Sequence, residues 1–147
     1  MHEKSKKYKN LALFDFDGTL YTKDSFTGFI FYALSKRHII KQGFKILPWI
    51  QAYYLKAYPA HAMRPKLFHA MFKNAKVSEI DNIAQEYAQQ ISKNYNSELL
   101  DRLRTHQALG DDVVLVSATV NVYLKYVAES LGLDLICTET EIINNHY

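Results

Sequence analysis

The chain predicts an α/β fold: a doubly wound parallel sheet with a helical segment inserted after its first strand. Three observations predict it. A continuously apolar run, Leu11 to Phe14, ends in acidic residues, as a strand covered on both faces of a parallel sheet does. Two further apolar runs follow, Val113 to Val116 and Leu133 to Cys137. The stretches between them carry apolar residues at helical spacing, and strands alternating with helices imply a wound α/β core.

Taken in order, the first strand is expected over Leu11 to Phe16, in the middle of the sheet. Asp24 or Ser25 offers an N-cap for a helix from Phe26 to about Arg37. A second helical run, Ile40 to Tyr58, is interrupted by Pro48 and closed by Pro59. Another helix is expected to begin at Val77 to Asp81, with Ser78 as N-cap and Asp81 as the acid of a capping box. Ile80, Ile83, Ala84, Tyr87, Ala88 and Ile91 form its apolar stripe. Asn96 to Leu109 is a further amphipathic run ended by Gly110. Val120 to Leu131 is the helix after the second strand, and Glu139 to Ile143 a short extra strand. Residues 1–23 and 76–147 are thus assigned to the core and 24–75 to a helical cap insertion.

With 147 residues, nearly half of them apolar and under a quarter charged, the chain suits one folded domain with a small subdomain. A net charge of +3 is too small to imply a nucleic-acid partner. Lys4, Lys6, Lys7 and Lys9 crowd the first ten positions. They read as a solvated tail, or as a peripheral contact with the anionic surface of the inner membrane. The apolar run between them and Asp15, Leu11 to Phe14, is too short for a signal-peptide core, so the expected location is cytoplasmic. The single cysteine, Cys137, stands in an apolar run and reads as a small buried hydrophobe.

The sequence departs from a pure folding pattern at Asp15-Phe16-Asp17-Gly18-Thr19. Two carboxylates two residues apart at the end of a buried strand are costly, and such local conflict is expected at functional sites. Metal-assisted phosphoryl transfer is a chemistry that employs them.

These residues, with Leu20, resemble the DxDGT signature of the haloacid dehalogenase-like hydrolases, and Val114 to Thr119 resembles that family's second motif. The run Asp15 to Phe26 followed by a helical insertion is most similar to the branch of phosphoserine phosphatase and of bacterial phosphatases like phosphatidylglycerophosphatase C. The resemblance implies a Rossmann-like core and a Mg²⁺-dependent phosphatase. It makes Asp15 the nucleophile that forms an aspartyl-phosphate, and Asp17 the general acid and then base. Mg²⁺ would be held by Asp15 and by the backbone carbonyl of Asp17. Gly18 would turn the chain closely around the phosphate and leave amides to donate to it. Thr19 would position Asp17 through its hydroxyl, while Ser117 and the Ala118 amide would hold a phosphoryl oxygen.

Asp24 matches the acidic position that holds the substrate amine in phosphoserine phosphatases, and equally suits an N-cap. Arg64 and Lys66 would reach a substrate phosphate or carboxylate if the cap closes, or would be solvated. The aromatics of the insertion (Phe26, Phe29, Phe31, Tyr32, Phe44, Trp49, Tyr53, Tyr54, Tyr58, Phe68 and Phe72) read as cap core, or as a lid against acyl chains. A lipid phosphate or a small phosphorylated metabolite is the expected substrate class.

Two further family motifs, a lysine and a Gly-Asp acidic pair, are not found after Ser117; Lys125 lies within a helix. The expected strand carrying those acids would pair beside Leu11 to Phe16, so an open edge is expected there. It would be covered by more of a protein of about 200 residues, or by a homo-oligomer. The rival to an enzyme is a catalytically inactive, phosphatase-like module that binds a phosphorylated ligand or partner. A dehalogenase is disfavoured because Asp17 would have no use for a halide leaving group.

Overall fold

The first strand begins where apolar residues concentrate after the lysine-rich start. The computed structural model describes residues 9–36, 60–73 and 75–140. Strand β1 spans Leu11–Asp15, and helix α1 spans Ser25–Ser35. The expected run Ile40 to Tyr58 lies outside the described residues. Helix α2, Ala60–Phe72, carries Pro65 in its interior at the cost of one backbone hydrogen bond. Then come α3, Val77–Ile91, a 3₁₀ turn, Ser92–Asn94, and α4, Ser97–Ala108. Strand β2, Asp112–Val120, helix α5, Asn121–Leu131, and strand β3, Asp134–Thr138, complete the described chain.

Local chemistry sets the boundaries. Asp24 caps α1 by accepting from the Phe26 and Thr27 amides, and Asn96 caps α4 by accepting from Leu99. Gly132 closes α5 in the left-handed region, at φ +69°. The expected capping box on α3 does not form: Lys76 is the N-cap, with no side-chain bond, and Ser78 lies inside the first turn. Asp81 instead meets Lys125 of α5 at 3.0 Å. A cation across the helix pair outcompetes a local cap, and with the Tyr126 hydroxyl it lowers the Asp81 pKa against the burial that raises it. Of the expected extra strand, Glu139 and Thr140 are not in a strand, and the rest lies outside the described residues.

The three strands are parallel, in the order β1-β2-β3. Asp15 pairs with Val116, and Val116 with Ile136. The expected parallel α/β core is present, but β1 is at the edge of the described sheet rather than in its middle. A sheet whose order follows the chain, joined by right-handed crossovers, carries its helices on one face. Burial agrees. Phe14, Val113 and Leu115 belong to the core, with Ala12, Leu135 and Cys137 packed against it. The alternate residues Leu11, Leu13 and Ile136 are 60% or more exposed. Among the described residues, the second face therefore stays open.

The described part of the insertion does not pack apart from the core. Phe26, Phe29, Phe68 and Phe72 join the same buried cluster as α3 and α5 residues. Phe29 touches Phe72, Tyr87 and Tyr123 at centroid distances of 5.6, 5.4 and 4.9 Å. These rings serve core packing, the first of the two expected readings. Phe44, Trp49, Tyr53, Tyr54 and Tyr58 lie outside the described residues. No helix among the described residues is long and apolar enough to cross a membrane.

Because Phe29 joins three elements, Phe29→Ala is expected to lower unfolding stability by about 3–5 kcal/mol, measured by urea denaturation.

Candidate active site

The register of β1 on β2 erases a separation of a hundred residues. Asp15 lies level with Val116, so the residues that leave β1 emerge beside Ser117. Ligands in α/β sheets sit at these carboxyl ends. The β2–β3 pairing loses register between Val116 and Val120, as bulges near functional sites do when they re-aim side chains. Ser117 and Thr119 are buried there, and Ala118 is exposed.

Asp15 is exposed at the strand tip. Its Oδ2 accepts a hydrogen bond from the Thr19 hydroxyl at 2.9 Å. This corrects one expectation: Thr19 orients Asp15, not Asp17. The reason is a tight loop in which the Thr19 and Tyr21 amides both bond to the Phe16 carbonyl, folding Thr19 back over the strand end. Phe16 anchors that loop, fully buried and stacked on Tyr21.

Gly18 has φ +71°, and a Cβ there would meet nothing within 4 Å. Conformation rather than space requires glycine. Its amide donates inward to the Lys23 carbonyl at 3.3 Å, so the expected outward donation to phosphate is not made by Gly18 in this arrangement.

Asp17 is held between both halves of the site. Its Oδ1 accepts from the Ser25 amide at 2.7 Å, and its Oδ2 from the Ser117 hydroxyl at 3.4 Å. Ser25 is the first residue of α1, where helix amides have no intrahelical partner and favour anions. Burial, with the Asp24 charge adding to it, nevertheless raises the Asp17 pKa, outweighing Ser25 and the nearby Arg64 charge, which lower it. A carboxyl shifted this way suits proton donation.

Asp24 serves the N-cap, the structural one of its two readings. Beyond the two amides it caps, it accepts from the Thr27 hydroxyl at 2.9 Å. Arg64 reaches it from α2, 4.0 Å away, and lies 5.9 Å from the Phe26 ring centroid. The structure thus brings both specificity candidates together at the start of α1. Lys125 is engaged with Asp81 on the far side of α5.

Sequence reasoning missed Tyr123 and Tyr87, and treated Ser25 only as a cap. The Tyr87 hydroxyl donates to the Ser25 carbonyl at 2.7 Å. Gly28 permits this, since a Cβ there would collide with that hydroxyl. Tyr123, fully buried, meets the Ser25 hydroxyl at 2.7 Å and the Thr119 hydroxyl at 3.1 Å. A faint signal existed: Tyr123 stands four residues after Thr119 on an otherwise apolar helical face.

A pair of strand-tip carboxylates facing a serine on the adjacent parallel strand defines an α/β protein with a carboxylate-based site. The chain belongs to the haloacid dehalogenase-like hydrolase family, which it matches over residues 12–147. It is 32% identical over 131 residues to protein CicA of Caulobacter vibrioides, covering 86% of this chain and 56% of that protein. The chain therefore spans little more than half the length of the curated relatives it matches. A protein of unknown function from Bordetella pertussis Tohama I shares its fold with a TM-score of 0.79 at 22% identity, covering 95% of this chain and 64% of that one. A phosphoserine phosphohydrolase-like protein from Francisella tularensis gives 0.58 at 16% identity, over 93% and 61%. A phospho-aspartyl intermediate analogue of phosphoserine phosphatase gives 0.58 at 16%, over 95% and 61%.

The raised Asp17 pKa sets a pH dependence. The protonated carboxyl is the form the fold prefers, so its contribution is complete below the ordinary carboxyl range and is lost as pH rises through the raised value. Asp17→Asn, which cannot ionise, should equal the wild type in stability at acid pH and exceed it toward neutrality. Urea midpoints measured against pH in EDTA check this; a wild type more stable than the variant at neutral pH would contradict it.

Proposed function

We propose that this chain carries the nucleophile and acid–base half of a Mg²⁺-dependent phosphomonoester hydrolase acting through an aspartyl-phosphate. The observation that carries this reading is the exposed Asp15 carboxylate, oriented by Thr19 at 2.9 Å, beside a partly buried Asp17 with a raised pKa. An Asp15 oxygen attacks phosphorus in line, the ester P–O bond breaks, and Asp17 gives its proton to the leaving alcohol. Asp17, now ionised, takes a proton from water as that water attacks the phosphorus of the aspartyl-phosphate. Phosphate leaves and Asp15 is regenerated. Ser117 and the exposed Ala118 flank the place where a phosphoryl oxygen is held.

The donor set suits Mg²⁺. Both Asp17 carboxylate oxygens already accept hydrogen bonds, so the ligands left to this chain are the Asp15 carboxylate and the Asp17 carbonyl, hard oxygens of the kind Mg²⁺ takes. When bound, the ion supplies charge that offsets repulsion between the carboxylate and the phosphoryl dianion. The described residues hold no group of three or more His, Cys, Asp or Glu able to bind a metal, and weak Mg²⁺ binding follows.

The substrate class is a lipid phosphate or a small phosphorylated metabolite, with Arg64, whose charge is felt at Asp17, as a cation that the described part of the insertion brings to the site. A further strand on the open edge of β1, from a second copy or additional polypeptide, belongs to the same reading. A metal site of one carboxylate and one carbonyl also favours a second reading, a module that binds phosphoryl groups without turnover.

With Mg²⁺ and p-nitrophenyl phosphate, the chain should release nitrophenol, and Asp15→Asn should lower kcat by about a thousandfold or more. Turnover that survives Asp15→Asn would overturn the covalent reading. No turnover, with phosphate still displacing the Ala118 amide resonance, would select the binding module.

A further inference from the structure

The hydrogen bonds around Asp17 close into a ring. The Ser25 amide donates to Asp17 Oδ1 at 2.7 Å. The Ser25 hydroxyl meets the Tyr123 hydroxyl at 2.7 Å, which meets the Thr119 hydroxyl at 3.1 Å. The Thr119 amide donates to Ser117 Oγ at 3.2 Å, and Ser117 Oγ returns to Asp17 Oδ2 at 3.4 Å. Tyr123 stands opposite Asp17 in this circuit and touches neither it nor the reacting centre. It joins the start of α1 to the end of β2, 98 residues apart in the chain.

Packing alone does not account for this tyrosine. Its ring is fully buried against Phe29 and Tyr87, at 4.9 and 5.3 Å, a space that phenylalanine would fill. Burying a hydroxyl is costly unless it is paired. This one is paired to two residues whose backbone amides hold Asp17 and Ser117. Ser25 in turn has each of its polar groups engaged: amide to Asp17, hydroxyl to Tyr123, carbonyl to Tyr87. Freed from Tyr123, Ser25 and Thr119 would be tied only through Asp17 itself, and the acid would then have to hold the site that should hold it.

We infer that Tyr123 is a positioning residue that sets Asp17 at the leaving-group oxygen by clamping Ser25 to Thr119. This rests on the phosphatase reading for its catalytic consequence, but not for its geometry. A proton donor matters most when the leaving group is a poor one. In kcat/KM, which reports the step that releases the leaving group and not the later hydrolysis of the aspartyl-phosphate, loss of the clamp should therefore be felt with an alkyl phosphate and hardly at all with an aryl phosphate whose nitrophenolate leaves unaided. A purely structural role would depress both alike.

The test uses the whole chain with Mg²⁺ and the variants Tyr123→Phe, Ser25→Ala and, as a control on the same helix, Tyr126→Phe. With an alkyl phosphate, Tyr123→Phe should lower kcat/KM about ten- to a hundredfold. With p-nitrophenyl phosphate the loss should be under about threefold. Ser25→Ala keeps the backbone amide and removes the other half of the same contact, so it should reproduce the pattern, and the double variant should add little. In ¹H–¹⁵N spectra the Ser25 amide should move in Tyr123→Phe, while Ala108 stays in place; Tyr126→Phe should move neither. An unmoved Ser25 amide, or equal losses on both substrates, overturns the proposal. Wild-type chain inactive on both substrates would refute the phosphatase reading instead, and the Ser25 amide alone would then decide whether Tyr123 is a clamp.

Discussion

One carboxylate, Asp17, is held from two directions, and the local structure follows from that requirement. Its donors are the Ser25 amide and the Ser117 hydroxyl. The first exists only because α1 starts at Ser25, leaving that amide without an intrahelical partner. The second exists only because β2 continues to Val120 through a break in register. These bonds do not offset the burial, which still raises the pKa. The site is therefore locally unfavourable to the fold, a balance often met where function needs a group in a state that water would not give it.

The sheet makes this arrangement possible and leaves it exposed. Parallel pairing places Asp15 level with Val116, bringing both strand ends to one rim. The order β1-β2-β3 puts the helices on a single face, where aromatic rings from the insertion, α3 and α5 share one core. Consequently the helices that carry Ser25 and Tyr123 are braced by the same packing that stabilises the protein. The opposite face presents Leu11, Leu13 and Ile136 to solvent, beside the edge strand that carries Asp15. Its exposure sets this surface apart from the aromatic core behind the site.

Local readings succeeded where neighbours in sequence are neighbours in space. Gly110 adopts positive φ after its helix, and Asp24 caps α1. They failed where a distant group offered better energy. Ser78 and Asp81 have the spacing of a capping box, but Lys125 is nearer to Asp81 than any cap. The family resemblance implies Thr19 beside Asp17, yet the loop turns it onto Asp15. Gly18 was expected to lend its amide outward, and the same turn directs it to Lys23.

The amino-acid order by itself determined that apolar runs would form parallel strands, that Asp15, Asp17 and Ser117 would stand at their ends, and which family pattern they match. Those properties depend on hydrophobic spacing and strand polarity, which are local. Only the tertiary structure decided what each of these groups touches: Ser25 and Ser117 around Asp17, Thr19 on Asp15, and Tyr123 across the back of the site. Hydrogen-bond partners are chosen by a few tenths of an ångström, within one tight loop as for Thr19 and between segments a hundred residues apart as for Ser117, and no periodicity in a chain encodes that distance.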